Sequence, residues 1–125
     1  MMDLILSLGS NCGDRERNIK SALTWLSRVL NDIKSSDIYE SPCAKDSGKS
    51  YMNAVVSCST EMSLHQLDSL IKNYEIEAGR DEECRKIGSV PIDIDIVVVN
   101  GEVLKEWDFK QKFFVRGLNY LNSNL

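Results

Sequence analysis

The chain has no basic excess, no paired-cysteine motif and no apolar run that approaches the length of a membrane span, and each absence excludes a class of function. Its 15 Lys and Arg against 19 Asp and Glu leave a formal net charge of −4. Proteins that hold nucleic acid show the opposite balance, so nucleic acid is not an expected partner. A small phosphorylated ligand needs only local positive charge and stays open. The four cysteines, Cys12, Cys43, Cys58 and Cys84, form no C-x-x-C pair, and the single histidine, His65, is far from each of them in sequence. Zinc is therefore not expected. A chain of this size with a good core has no need of a disulfide framework, so the thiols read as reduced and the protein as cytoplasmic. The first apolar run, residues 4–8, follows Asp3 and has no basic region before it. That makes it a strand rather than a signal peptide. With no membrane partner implied, the expectation is one domain over residues 1–125, a monomer acting on small molecules.

What is present is the composition of a globular domain with a genuine core, 42% hydrophobic and 27% charged over 125 residues. Residues 4–8 end at the turn cluster Gly9-Ser10-Asn11. Asp14 then reads as the N-cap of a helix whose apolar positions, Ile19, Ala22, Leu23, Leu26, Val29 and Leu30, recur at helical spacing. Residues 33–39 suit a second strand, 40–50 a long polar loop, and 51–60 a third strand with Ala54, Val56 and Cys58 on one face and Val55, Ser57 and Ser59 on the other. Ser63 and Gln66 make a capping box for a second helix, with Leu64, Leu67, Leu70, Ile71 and Tyr74 as its stripe and Gly79 as its C-cap. A second polar loop covers 80–90, Asn100-Gly101 signals a hairpin, and 113–115 suit a last short strand. The order βαββαβ predicts an α+β, ferredoxin-like sandwich: an antiparallel sheet with two helices on one face and a substrate site on the other, covered by the two polar loops.

One stretch carries the chemistry. Pro91-Ile92-Asp93-Ile94-Asp95-Ile96-Val97-Val98-Val99 reads as a buried strand, yet two carboxylates interrupt it two residues apart. Alternation puts Asp93 and Asp95 on one face and the isoleucines on the other. Adjacent carboxylates repel, and a divalent cation relieves that; oxygen-only ligands suit magnesium, which takes its remaining ligands from water and substrate phosphates. The plain alternative is a strand with one wet face. Asp is a poor strand former, which favours the metal.

Four motifs in order carry a family resemblance: Leu8-Gly9-Ser10-Asn11-Cys12-Gly13-Asp14-Arg15 with Asn18; Tyr51-Met52-Asn53-Ala54-Val55; Glu75 with Gly79-Arg80; and Ile92-Asp93-Ile94-Asp95-Ile96. Together they resemble the 6-hydroxymethyl-7,8-dihydropterin pyrophosphokinase family, whose fold is ferredoxin-like. The resemblance implies magnesium-dependent transfer of diphosphate from ATP to the hydroxymethyl group of a dihydropterin, with release of AMP, in cytoplasmic folate biosynthesis. It further implies that Asp93 and Asp95 hold two magnesium ions. Asn53 and the backbone near Ser41, Pro42 and Ala44 would read the pterin's polar edge, and Tyr51 and Phe114 would clasp its ring. Glu75 and Ile96 would lie near the adenine or ribose of ATP, and Arg80 would be a loop cation. Without the resemblance, Tyr51 and Phe114 also suit a core, Asn53 a strand end, and Arg80 a solvated helix end.

The chain departs from the family's pattern as well. The loop before the aspartates normally carries a tryptophan and a Gly-Pro-Arg run; here it is Ile87-Gly88-Ser89-Val90. A second arginine after Gly-Arg is replaced by Glu82, the Pro-His pair after the hairpin is absent, and Lys112 stands where the family has an arginine. Lysine keeps the charge without the planar fork. The chain also stops before the family's C-terminal extension. These losses predict reduced activity, with a pterin- or nucleotide-binding paralogue, or an interaction protein on the same fold, as the other readings. Arg85, Lys86, Lys105, Lys110, Lys112 and Arg116 are the cations available as substitutes, and the sequence does not place them.

Overall fold

The chain builds a six-stranded antiparallel sheet, seen in a computed structural model that describes residues 1–42 and 50–123. The elements are β1 (Met2–Ser10), α1 (Arg15–Val29), β2 (Asn31–Ser35), β3 (Tyr39–Ser41), β4 (Tyr51–Thr60), α2 (Leu64–Glu77), α3 (Glu82–Lys86), β5 (Asp93–Val99), β6 (Glu102–Val103), α4 (Glu106–Lys110) and α5 (Lys112–Ser123). Strand order is β2-β4-β1-β5-β6, with β3 also pairing to β4. The fold is α+β and ferredoxin-like. Among the described residues no helix is long and apolar enough to cross a membrane, and Cys12, Cys58 and Cys84 are unpaired.

Alternation and helical spacing meet in one main core. Leu4, Leu6 and Leu8 of β1, Ala54, Val56 and Cys58 of β4, and Ile94 and Ile96 of β5 face Ile19, Ala22 and Leu26 of α1 and Leu67 and Ile71 of α2. Full burial of each such aliphatic side chain stabilises by about 1.5–3 kcal/mol. The caps form as the sequence implies. Asp14 accepts from the Arg17 N–H at 3.2 Å. Ser63 Oγ accepts from the Gln66 N–H at 3.2 Å while Gln66 Oε1 accepts from the Ser63 N–H at 3.0 Å.

Three expectations are corrected. The strand anticipated over 33–39 breaks into β2 and β3 because Ser36 intrudes on the ladder. Its N–H donates to the Val55 carbonyl at 2.8 Å, and its hydroxyl, not a backbone carbonyl, accepts from the Val55 N–H at 2.9 Å. The chain therefore leaves β4 and rejoins it at Tyr39 opposite Asn53. Inside the anticipated 80–90 loop lies the short helix α3, capped by Asp81, which accepts from the Cys84 N–H at 2.9 Å. Finally, 113–115 is helical, not a strand. Phe114, Gly117 and Leu121 form one buried face of α5.

That last difference matters for the site. Alternation down β5 is interrupted by a register shift opposite Ile5 and Leu6 of β1. A bulge of this kind lets Val97 and Val98 both join the second core, with Val55, Phe114 and Leu121, while Val99 packs on the first. α5 thus covers part of the sheet face anticipated to be open, and what stays uncovered is the end of that face bearing Gly9, Asn53, Asp93 and Asp95.

Candidate active site

The site is built where β1 and β5 run side by side. Asp93 is opposite Gly9 and Asp95 opposite Ser7, so each carboxylate stands beside a small neighbour. Gly9 serves a second purpose. A Cβ there would lie 3.3 Å from the Tyr51 ring, so glycine lets that ring settle over β1.

Each carboxylate meets an internal cation. Arg80 Nη1 donates to Asp93 Oδ1 at 2.8 Å and to Glu75 Oε2 at 3.1 Å. Glu75 Oε2 also accepts from the Ile94 N–H at 2.8 Å. Glu75 therefore fixes the free side of β5 and aims Arg80 at the aspartates. Burial holds the Glu75 carboxyl above its ordinary range, opposed by the Ile94 N–H and Arg80. On the other carboxylate, Lys105 Nζ donates to Asp95 Oδ1 at 2.6 Å. Burial, and then the Asp93 carboxylate beside it, push the Asp95 carboxyl up to about 6 against the pull of Lys105.

Two cavities share this pair as a wall. The first, about 810 Å³, lies between α2 and β5 and is lined by Leu64, Ile71, Lys72, Glu75 and Ile96 among others. The second, about 780 Å³, lies over the end of β1 and β4 and is lined by Ser41, Pro42, Tyr51, Asn53, Trp107 and Phe113 among others. Asp93, Asp95, Arg80, Arg85 and Lys105 line both.

The anticipated residues fall as follows. Asp93, Asp95, Arg80, Glu75 and Ile96 line the first cavity, and Ser41, Pro42, Tyr51 and Asn53 line the second. Asn53 is buried, with Nδ2 donating to Ser41 Oγ at 2.7 Å and to the carbonyls of Tyr39 and Tyr51 at 3.3 Å. These bonds fix its amide plane. Ala44 lies outside the described residues. Phe114 is fully buried in the second core, tilted against Phe109, and lines neither cavity; its neighbour Phe113 does line the second. Lys112 is exposed at the start of α5 and lines neither. Of the cations the sequence left unplaced, the fold brings Arg85 and Lys105 to the aspartates, while Arg116 pairs with Asp37 at 3.1 Å and lies over the Tyr39 ring. Trp107 was not anticipated at all. Its only sequence signal is an aromatic ring six residues before Phe113, and the two rings stand 6.4 Å apart.

The loop before the aspartates is tied down rather than loose. Asn11 Nδ2 donates to the Gly88 carbonyl at 2.9 Å, Asn11 Oδ1 accepts from the Val90 N–H at 2.5 Å, and the Asn11 N–H donates to the Val90 carbonyl at 2.9 Å. Among the described residues no group of three or more His, Cys, Asp or Glu side chains converges as a self-sufficient metal cage. Two carboxylates with oxygen donors only, one of them partly desolvated, fit magnesium that draws its other ligands from water and a polyphosphate.

Comparison with known proteins agrees with this geometry. The family model described as 7,8-dihydro-6-hydroxymethylpterin-pyrophosphokinase (HPPK) matches residues 5–122. A 2-amino-4-hydroxy-6-hydroxymethyldihydropteridine pyrophosphokinase of Aquifex aeolicus is 36% identical over 106 residues, covering 84% of this chain and 66% of the relative. The enzyme of the same name from Bacillus subtilis is 33% identical over 100 residues, covering 78% and 59%. A folate synthesis bifunctional protein of Arabidopsis thaliana is 31% identical over 97 residues, covering 76% of this chain and 20% of that protein. The match thus takes in about two thirds of the Aquifex enzyme's length and less of the other two.

Proposed function

Because the chain belongs to the 7,8-dihydro-6-hydroxymethylpterin-pyrophosphokinase family, we propose that it transfers diphosphate from ATP to the hydroxymethyl group of 6-hydroxymethyl-7,8-dihydropterin and releases AMP. In this reading the pterin hydroxyl oxygen bonds to the β-phosphorus of ATP. The bond from that phosphorus to the α–β bridging oxygen breaks, AMP leaves with the electron pair, and the hydroxyl proton passes to water. The whole chain acts as one domain over residues 1–125, in the cytoplasm, as a monomer, with ATP and the dihydropterin as its small-molecule partners.

One observation carries the reading: two cavities of ligand size share Asp93 and Asp95 as a common wall. A donor in one and an acceptor in the other would meet at the carboxylates. Asp93 and Asp95 would hold two magnesium ions, which when bound neutralise polyphosphate charge and acidify the pterin hydroxyl. The protein's own share is alignment. Asn53 and Ser41 present polar atoms to the pterin edge, and Tyr51 with Phe113 flanks its ring, Phe113 taking the place anticipated for Phe114. Ile71 and Ile96 give the adenine an apolar wall. Arg80, Arg85 and Lys105 grip the phosphates, and Glu75 holds Arg80 in position. No side chain needs to act as a strong base.

The test is AMP release from ATP and magnesium, with and without the pterin, beside Asp95→Asn. The expected outcome is pterin-dependent AMP that falls on the order of 100-fold or more in the variant, whose melting is unchanged. AMP no higher than the variant's would overturn the transferase. A second reading, a pterin- or nucleotide-binding paralogue with weak or no transfer, is favoured by the tied loop Ile87-Gly88-Ser89-Val90, which brings no cation to the site. Pterin binding without AMP release would establish it.

A further inference from the structure

Lys105 is placed with more care than a surface lysine needs. The backbone N–H groups of Leu104 and Lys105 both reach the Val97 carbonyl, at 2.8 and 3.4 Å, so the chain leaving β6 is pinned against β5. From there the ammonium meets Asp95 at 2.6 Å and lines both cavities. The two internal cations are not equivalent. Arg80 is held by two carboxylates and its side chain is 26% exposed. Lys105 has one close ion-pair partner among the described residues, Asp95, with Asp108 and Asp93 acting on it from farther away, and its side chain is 47% exposed. Lys105 is thus the cation that can be released.

A divalent ion that arrives alone at Asp95 competes with this ammonium for the carboxylate and leaves it beside a double positive charge with only the more distant Asp108 and Asp93 to attract it, which is unfavourable at such range. An ion that arrives with a polyphosphate brings Lys105 a new anionic partner along the same cavity wall. The displacement then exchanges one ion pair for another. We propose that Lys105 couples the two events: it occupies Asp95 in the metal's stead and passes to the polyphosphate when metal and polyphosphate enter together. The proposal rests on the nucleotide reading of the first cavity. It assigns Lys105 the task of excluding free divalent ions and admitting the metal–triphosphate complex.

Coupling of this kind is reciprocal and measurable without turnover. Mn²⁺ affinity is measured by the electron paramagnetic resonance signal of the free ion, alone and with α,β-methylene-ATP, for the wild type, Lys105→Met, Lys105→Arg and Lys105→Met with Asp95→Asn. Expected for Lys105→Met is an affinity for Mn²⁺ alone about tenfold higher, with the enhancement by the analogue reduced by a similar factor. Lys105→Arg keeps the wild-type pattern, and adding Asp95→Asn cancels the gain. Unchanged or weaker binding of Mn²⁺ alone by Lys105→Met overturns the proposal. So does a gain that survives Asp95→Asn, or an analogue effect equal in wild type and Lys105→Met. The AMP assay judges the transferase separately. Normal AMP release without the Mn²⁺ gain defeats this proposal alone, and the gain without AMP release defeats the transferase alone.

Discussion

Phe113 and Phe114 sit side by side at the start of α5 and do different work. Phe114 is fully buried among Val55, Val97, Val98 and Leu121, whereas Phe113 reaches the second cavity and faces Trp107. Phe114→Ala should lower stability by about 3–5 kcal/mol, read as a shift in the urea midpoint. Phe113→Ala should cost less in the same assay, about 1–2 kcal/mol, because its ring packs on the same core but is only partly buried, and should in addition weaken pterin binding in a fluorescence titration. The reverse pattern would mean that the two rings had been assigned the wrong tasks. Read as a strand, the pair gives no way to choose between them, since neighbouring residues simply point to opposite faces. Only the helical period sets Phe114 in line with Gly117 and Leu121. Glu75 shows a similar limit. Its motif was visible, but its bond to the Ile94 N–H was not, because that contact depends on α2 lying along the free side of β5.

The seam between α5 and β3 is the element most open to a pH test. Gly117 lets α5 approach closely, as a Cβ there would lie 2.6 Å from Tyr39 Oη. The Tyr39 hydroxyl donates to the Phe113 carbonyl, and Arg116 lies over the ring at 4.0 Å. Burial, only partly offset by Arg116, pushes the Tyr39 phenol up to about 12 from 10.0. The folded state therefore favours the neutral phenol. Above pH 10 the unfolded chain ionises first, and stability is lost as pH rises through the folded value. At full ionisation the loss approaches about 2–3 kcal/mol, because each tenfold weakening of the acid corresponds to about 1.4 kcal/mol. Urea unfolding at pH 8, 10 and 11 should show wild type losing stability faster than Tyr39→Phe, and parallel curves would remove the argument. The helices α1 and α2 were legible in the sequence because their apolar positions repeat at helical spacing, and β1, β4 and β5 because they are apolar runs bounded by turn residues, even though β4 is buried on both faces and β5 is bulged. The break between β2 and β3 was not, because it turns on a single serine hydroxyl bonding to a strand remote in sequence. α5 was missed because a Phe-Phe-Val run resembles a strand until Gly117 is recognised as part of its buried face.

At the scale of the molecule, the fold gathers charge that the sequence scatters. Asp93 and Asp95 were legible because strand alternation alone places them together, and Asn53 because its motif is local. Arg85 and Lys105 reach the same point from α3 and from the connection between β6 and α4, and no local pattern announces that meeting. Its consequence is that the carboxylates are already compensated without metal, Asp93 by Arg80 and Asp95 by Lys105. A protein whose metal holds the fold together unfolds when the metal is chelated. Here the main core lies on the far side of β5 from the aspartates, the second core packs farther along their own face under α5, and the repulsion that metal removal would expose is met by internal cations. Excess EDTA should therefore abolish pterin-dependent AMP release and leave the circular-dichroism melting midpoint within about 2 °C, a shift of well under 1 kcal/mol for a chain of this length. A fall of more than about 5 °C would show the metal to be structural, and would mean that Arg80 and Lys105 do not balance the pair as their distances imply. Activity restored by magnesium, with no refolding step, completes the expected result: metal is a ligand of the assembled site, and the ion pairs keep that site ready to receive it.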